Sequence, residues 1–234
     1  METGEVPWYD KIFASIAAAK YDSLEVETNG VRLFSLSTLA KRLEAAWDIV
    51  CYLRSISDEA RKRWCTEFDR KVSPPDHLLE GRMLNWCQIR AMQRFGISFG
   101  AHTMNHPVLS QLDSNNYQDE CVLSKQLLER GLGERVEDFA YPFGRPTDGS
   151  KDVQEYLVRA GYRSAVTTIE GFNSTGDNLY MLRRLQINDD CSVPLFAFNV
   201  SRMFFEVNPK LPAAWSSLMP NQSAAVRESG QDFS

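Results

Sequence analysis

The strongest constraint on the fold is a rhythm running from Leu84 to Ile187, in which helix-length amphipathic segments alternate with short apolar runs. "LNWCQIRAMQRFG" reads as a helix stopped at Gly96, because a glycine just past the last turn accepts left-handed backbone. "ISFGAH" follows as a short buried strand, and "SNNYQDECVLSKQLLERGLG" as a helix with Gly131 and Gly133 at its end. "VEDFAYPFG" holds the next strand. "SKDVQEYLVRAGY" is a helix with Ser150 as N-cap and Gly161 at its close. "RSAVTT" and "YMLRRLQI" are further strands, and Ser192–Phe205 suits a closing helix. Strands alternating with helices of this length predict parallel βα units, so the fold class is α/β.

The N-terminal third has a different pattern. "SLEVETNGVRLFSL" (Ser23–Leu36) alternates apolar and polar residues around Asn29-Gly30, a hairpin signal because both turn residues accept positive φ. In "STLAKRLEAAWDIVCYLRS", Leu39, Leu43, Trp47, Val50 and Cys51 recur at helical spacing and predict the apolar stripe of an amphipathic helix. A second helix is expected after Ser57 as N-cap, burying Trp64, Cys65 and Phe68. "SPPDH" (Ser73–His77) breaks the pattern. The expected organisation is therefore a hairpin and helical cover over residues 1–82, a βα portion over 83–206, and a tail over 207–234. The tail lacks apolar periodicity and is expected to be disordered.

Composition removes several function classes. A net charge of −5 argues against nucleic acid as partner. No apolar run reaches the roughly 18 residues of a membrane span. "METGEVPWYDKIF" has neither a basic start nor a long apolar run, so no signal peptide is read and a cytoplasmic location is expected. Five cysteines, an odd number without a C-x-x-C pair, predict free thiols in a reducing compartment. Most lie in apolar stretches, where cysteine acts as a small hydrophobe rather than a nucleophile.

The chemistry points to "AHTMNHPVLSQL". Two of the three histidines, His102 and His106, stand four residues apart there, after the strand "ISFGA". Tyr141, Pro142, Phe143 and Gly144 follow the strand "EDFA". Sites in parallel α/β architectures collect at that edge. Neutral imidazole is a good zinc ligand. Pro107 disfavours the α conformation at His106, so an irregular turn is expected, with Thr103 capping a helix that begins near Pro107. The alternative is that both histidines are satisfied surface or core residues. A catalytic zinc site also needs a third protein ligand, and nothing nearby in sequence supplies one.

"HTMNHPVLSQL" resembles the H-[ST]-x-x-H-P motif of the polysaccharide deacetylase family (carbohydrate esterase family four, the nodulation-type chitooligosaccharide deacetylase domain), and "FAYPFG" resembles its next motif. The likeness runs from about Leu84 to Ile187, and the N-terminal insertion resembles that of exopolysaccharide-biosynthesis members. It implies a distorted (β/α) barrel, incomplete at the N-terminus in this chain. It implies zinc or another divalent metal on His102 and His106, and hydrolysis of N-acetyl groups from amino-sugar polysaccharides or oligosaccharides. It further implies an oxyanion-stabilising backbone N–H at Phe143, and Tyr141, Phe143 and Arg145 as substrate contacts. For the two rings, core packing is the alternative.

The family's Thr-Phe-Asp-Asp-Gly motif, which supplies a general base and the third metal ligand, is absent. The only Asp-Asp pair is Asp189-Asp190, downstream of both motifs. "EVPWYDKIF" resembles the segment after the second strand of such enzymes, so the chain is expected to start there. No histidine follows His106 to act as a late general acid, and Ala140 replaces the Arg often found before "YPFG"; Arg145 or Arg184 are candidate substitutes. A catalytically inactive, glycan-binding remnant of the same fold is the competing expectation.

Overall fold

A computed structural model of the chain describes residues 6–113, 116–187 and 191–200. The chain opens with helix α1 (Trp8–Ala18), then strands β1 (Ser23–Thr28) and β2 (Gly30–Ser35), then helices α2 (Leu39–Leu53) and α3 (Asp58–Lys71). β1 and β2 pair antiparallel, with Leu24 opposite Phe34 and Thr28 opposite Gly30, around Asn29 as expected. Leu24, Val26 and Phe34 turn inward. They join Ile12 and Ile16 of α1, Ala45, Ala46, Ile49, Val50 and Leu53 of α2, and Phe68 of α3 in one apolar cluster.

Of the expected α2 stripe, only Val50 is buried. Leu39, Leu43 and Trp47 are exposed (68%, 52% and 36%), and Cys51 is exposed too. Ala45, Ala46 and Ile49 are buried instead. Periodicity identified the helix but not its inner face, because alanines that let α1 approach closely carry little weight in an apolar count. In α3, Ser57 caps as expected, its hydroxyl accepting the Ala60 N–H at 3.3 Å. Phe68 is buried, while Trp64 and Cys65 are only partly so. An unexpected residue, Arg61, is buried beside them.

Helix α4 (Trp86–Arg94) begins at a capping box in which Asn85 and Gln88 bond reciprocally, and ends before Gly96 in left-handed backbone. Helix α5 (Leu123–Leu132) continues a π-helical turn, Gln118–Val122, and closes on Gly133 at φ 73°. Gly131 lies in the last turn of α5, at the helix end as expected, and the Trp86 ring fills the space a Cβ there would need. Strand β3 (Asp138–Ala140), helix α6 (Lys151–Arg159) and strand β4 (Ser164–Glu170) form a parallel βαβ unit; Ser150 caps α6. Strand β5 (Leu182–Arg184) adds in parallel to β4. Helix α7 (Val193–Val200) lies within the expected closing helix. The rest of that expected helix, 201–205, residue 206 and the tail 207–234 fall outside the described residues.

The expected strand "ISFGAH" contracts to a single parallel bridge between Ala101 and Phe139. The architecture is thus α/β: an open arc of parallel backbone in the order Ala101, β3, β4, β5, a segment of the expected distorted barrel that does not close among the described residues. A second cluster, including Ile89, Leu109, Leu128, Phe139, Tyr141, Leu157 and Ala165, fills the space between this sheet and α4–α6.

The two faces of α2 make opposite predictions. Leu39→Ser and Leu43→Ser should each change stability by less than about 0.5 kcal/mol. Ala46→Leu should cost about 1–3 kcal/mol by overpacking against α1. Urea denaturation of the three variants checks this; the reverse order would place the leucine stripe inside.

Candidate metal centre

Ala140 brings the two motifs together. The Ala101 N–H donates to the Asp138 carbonyl at 2.9 Å, and the Ala140 N–H donates to the Ala101 carbonyl at 2.8 Å. The next residue along, His102, donates from Nδ1 to the Ala140 carbonyl at 2.8 Å. A carbonyl only accepts, so this bond places the proton on Nδ1 and leaves the Nε2 lone pair free. His102 is open to solvent along one edge.

The turn after His102 is irregular, as Pro107 predicts. Thr103 and His106 both take left-handed backbone, φ 66° and 54°. Such conformations cost non-glycine residues free energy and persist only where surroundings impose them. The Thr103 hydroxyl accepts the His106 N–H at 3.1 Å, so it closes the turn on itself. No helix begins at Pro107 for it to cap; a short 3₁₀ turn comes next, at Leu109–Gln111. The carboxylate of Glu120 accepts from Met104 N–H, Asn105 N–H and the Asn105 side-chain amide at 2.8–2.9 Å.

This turn sets the His102 and His106 rings edge to face, 4.9 Å between centroids. Phe143 packs on His106 at 4.9 Å, and Tyr9 of α1 packs on it at 4.8 Å. Trp8 donates from its indole to the His106 carbonyl at 3.3 Å. His106 Nδ1 is buried without a partner among the described residues. Two imidazoles with one free and one orphaned nitrogen suit two ligand positions of a divalent ion. Among the described residues, no cluster of three or more His, Cys, Asp and Glu is found, and Asp189-Asp190 lies outside them.

The electrostatics hold both rings neutral. Burial lowers the pKa of His102; the Ala140 hydrogen bond raises it in part, and the nearby Arg184 lowers it further. Burial brings His106 down to about 4, aided by repulsion from His102, Arg61 and Arg54. Arg54, at the end of α2, lies over the Phe143 ring at 4.2 Å. Burial and the charge of Arg145 lower its own pKa.

The "YPFG" segment is tied to the end of β4. Thr168 donates its hydroxyl to the Phe143 carbonyl at 2.6 Å and its N–H to the Gly144 carbonyl at 3.0 Å. Gly144 has φ 60°, and a Cβ there would fall on the Thr168 backbone nitrogen. Phe143 therefore faces the histidines, and Arg145 stands exposed beyond it, its N–H donating to the Asp148 carboxylate at 2.9 Å. Tyr141 does not. Its ring is fully buried, its hydroxyl donates to the Tyr180 carbonyl at 2.9 Å, and burial raises its pKa. The groove-wall expectation for Tyr141 is corrected to core packing: side chains alternate across β3 and its extension, so Phe139 and Tyr141 share the inner face.

All five cysteines are free, and burial raises the Cys121 thiol to about 12, which makes it a poor nucleophile. Sequence reasoning missed Glu120, Trp8, Tyr9 and Arg54. "WYD" was visible as an aromatic pair, but its contact spans 98 residues and leaves no local signal.

The sequence signature of the polysaccharide deacetylases matches residues 64–165. It is 28% identical over 116 residues to YxkH of Bacillus subtilis (strain 168), whose name places it among the polysaccharide deacetylases; the match covers 50% of this chain and 40% of YxkH. Among solved structures it is similar to the Streptococcus pyogenes deacetylase PplD in complex with acetate, with 30% identity and a TM-score of 0.48, covering 51% of this chain and 52% of that one. It is also similar to BC0361, a polysaccharide deacetylase from Bacillus cereus, with 30% identity and a TM-score of 0.46, covering 52% and 38%. The chain thus spans less than half the length of YxkH and about half that of PplD. Among the described residues no helix is long and apolar enough to cross a membrane.

The depressed pKa of His106 has a stability consequence. Unfolded, the ring protonates near 6.5; folded, near 4. Its contribution is complete above about pH 6.5 and is lost as pH falls through the window down to 4. In metal-free protein, the urea midpoint should fall across that window, and His106→Gln should flatten the fall; an equally steep profile in the variant sinks the assignment.

Proposed function

We propose that this chain contributes the metal-binding half of a deacetylase centre acting on N-acetylated amino-sugar glycans. The observation that carries the reading is the hydrogen bond from His102 Nδ1 to the Ala140 carbonyl, which frees Nε2 beside the orphaned His106 nitrogen and the Phe143 loop. His102 and His106 hold zinc or another divalent ion, and Ala140 orients His102. When bound, the ion supplies Lewis acidity at the acetyl group. The Phe143 backbone N–H, held by the Thr168 contacts, stabilises the developing oxyanion. The exposed Arg145 contacts the glycan, and the Phe143 face turned to the histidines walls the acetyl pocket. Residues 1–82 act as a cover for the βα portion 83–206, seating Trp8 and Tyr9 on His106.

Zinc titration of the purified chain, with acetate release measured on a panel of N-acetylated oligosaccharides, tests this. One equivalent should bind, His102→Ala and His106→Ala should each weaken binding at least ~10-fold, and acetate release should fall in parallel. Glycan binding that persists without zinc affinity or acetate release would favour a non-catalytic remnant instead. Gly144→Ala should displace the Phe143 N–H and lower acetate release ~10²-fold while zinc still binds, as expected for loss of one oxyanion donor.

A further inference from the structure

We infer that Glu120 is the positioning residue that imposes the ligand geometry on the His102–His106 turn. The inference rests on the metal-site reading above and names a residue that the motif itself does not contain. Glu120 is 4% exposed and lies on the π-helical turn Gln118–Val122, ahead of α5. Its Oε2 accepts the N–H groups of both Met104 and Asn105 at 2.9 Å, and its Oε1 accepts the Asn105 side-chain amide at 2.8 Å. One carboxylate thus binds three donors in the two middle residues between Thr103 and His106, the two non-glycine residues with positive φ among the described residues. The strained turn needs an external constraint, and this is the one that reaches its centre; the Thr103–His106 bond closes only its ends.

The π turn explains how the carboxylate gets there. An inserted residue in a helix shifts the side-chain register, and such turns recur where a side chain must be aimed. Here the turn places Glu120 and Cys121 inward together, and the Ser124 hydroxyl donates back to the Glu120 carbonyl at 2.7 Å, fixing that backbone. Buried charge needs a counter-charge, and Arg61 of α3 lies close enough for Glu120 to favour its charged form. Arg61 is itself paired with Asp58 and lies under the Trp8 ring at 5.1 Å. The carboxylate therefore links the histidine turn to the cover that packs on the other side of His106.

Two variants and two readouts test this on the full chain. Glu120→Gln keeps the shape but replaces one acceptor oxygen with a donor that faces the Asn105 donors. Asn105→Ala removes only one of the three bonds. Amide exchange and the nuclear Overhauser contact between the two imidazoles are read without metal; Co²⁺ affinity is read by its visible absorption. In Glu120→Gln, exchange at Met104 and Asn105 should accelerate, the ring–ring contact should weaken, and Co²⁺ binding should loosen by about 10–100-fold. Exchange in β3 and β4 should stay unchanged. Asn105→Ala should move the same readouts in the same direction by a smaller factor, and it carries the test if Glu120→Gln does not fold. Unchanged turn exchange and an intact ring–ring contact overturn the inference. If the unmodified chain binds no Co²⁺, the metal reading fails, while the metal-free readouts still decide whether Glu120 sets the turn.

Discussion

The site depends on what Ala140 does with its two backbone groups. Its N–H pairs with Ala101, and its carbonyl takes the proton-bearing nitrogen of His102. The first bond is an ordinary rung of a parallel ladder. The second uses the next group along the same edge to choose a tautomer. Because Ala101 pairs only as an isolated bridge, the chain leaves the sheet immediately and the histidine turn starts at the strand edge. Phe143 reaches the same place three residues after Ala140, where the segment is refastened to Thr168. Position 140 needs no side chain for either bond. A small residue there loses no hydrogen bond, because the work is done by the backbone.

Much of this arrangement is legible in the amino-acid sequence, and the legible parts share a property: they are local. The capped helices α4 and α6, the hairpin turn at Asn29-Gly30, and the order of strands all arise from signals within a few residues. Both histidines and Phe143 converge as their strand-end positions required. What failed was long-range. The stripe Leu39, Leu43, Trp47 has the right period but stays largely exposed, with Trp47 meeting α1 only through the Phe13 ring, and Tyr141 turns into the core because its neighbour Phe139 fixes the alternation. Glu120 carries no periodic signal at all: a charged residue in an amphipathic stretch reads as solvated unless its partner turn is known.

The N-terminal elements bear on the site through charge as well as packing. Arg54 and Arg61, both from the hairpin-and-helix portion, lower the pKa of His106, and Arg184 from β5 lowers that of His102. Burial is the larger cause of both shifts, and the three guanidinium groups add to it. Neutral imidazole is the form that can ligate, so burial and the cations together leave the lone pairs available near neutral pH. The same cations disfavour a second positive charge, and by themselves they would weaken binding of a divalent ion. Glu120 offsets part of this from beneath the turn, beside Arg61. If the proposed metal site holds, these cations favour its completion by anionic groups, and a carboxylate ligand or the oxyanion of an acyl-transfer step has that charge. Under the proposed metal reading, the charge that the described residues leave uncompensated has the sign that amide hydrolysis develops in its transition state.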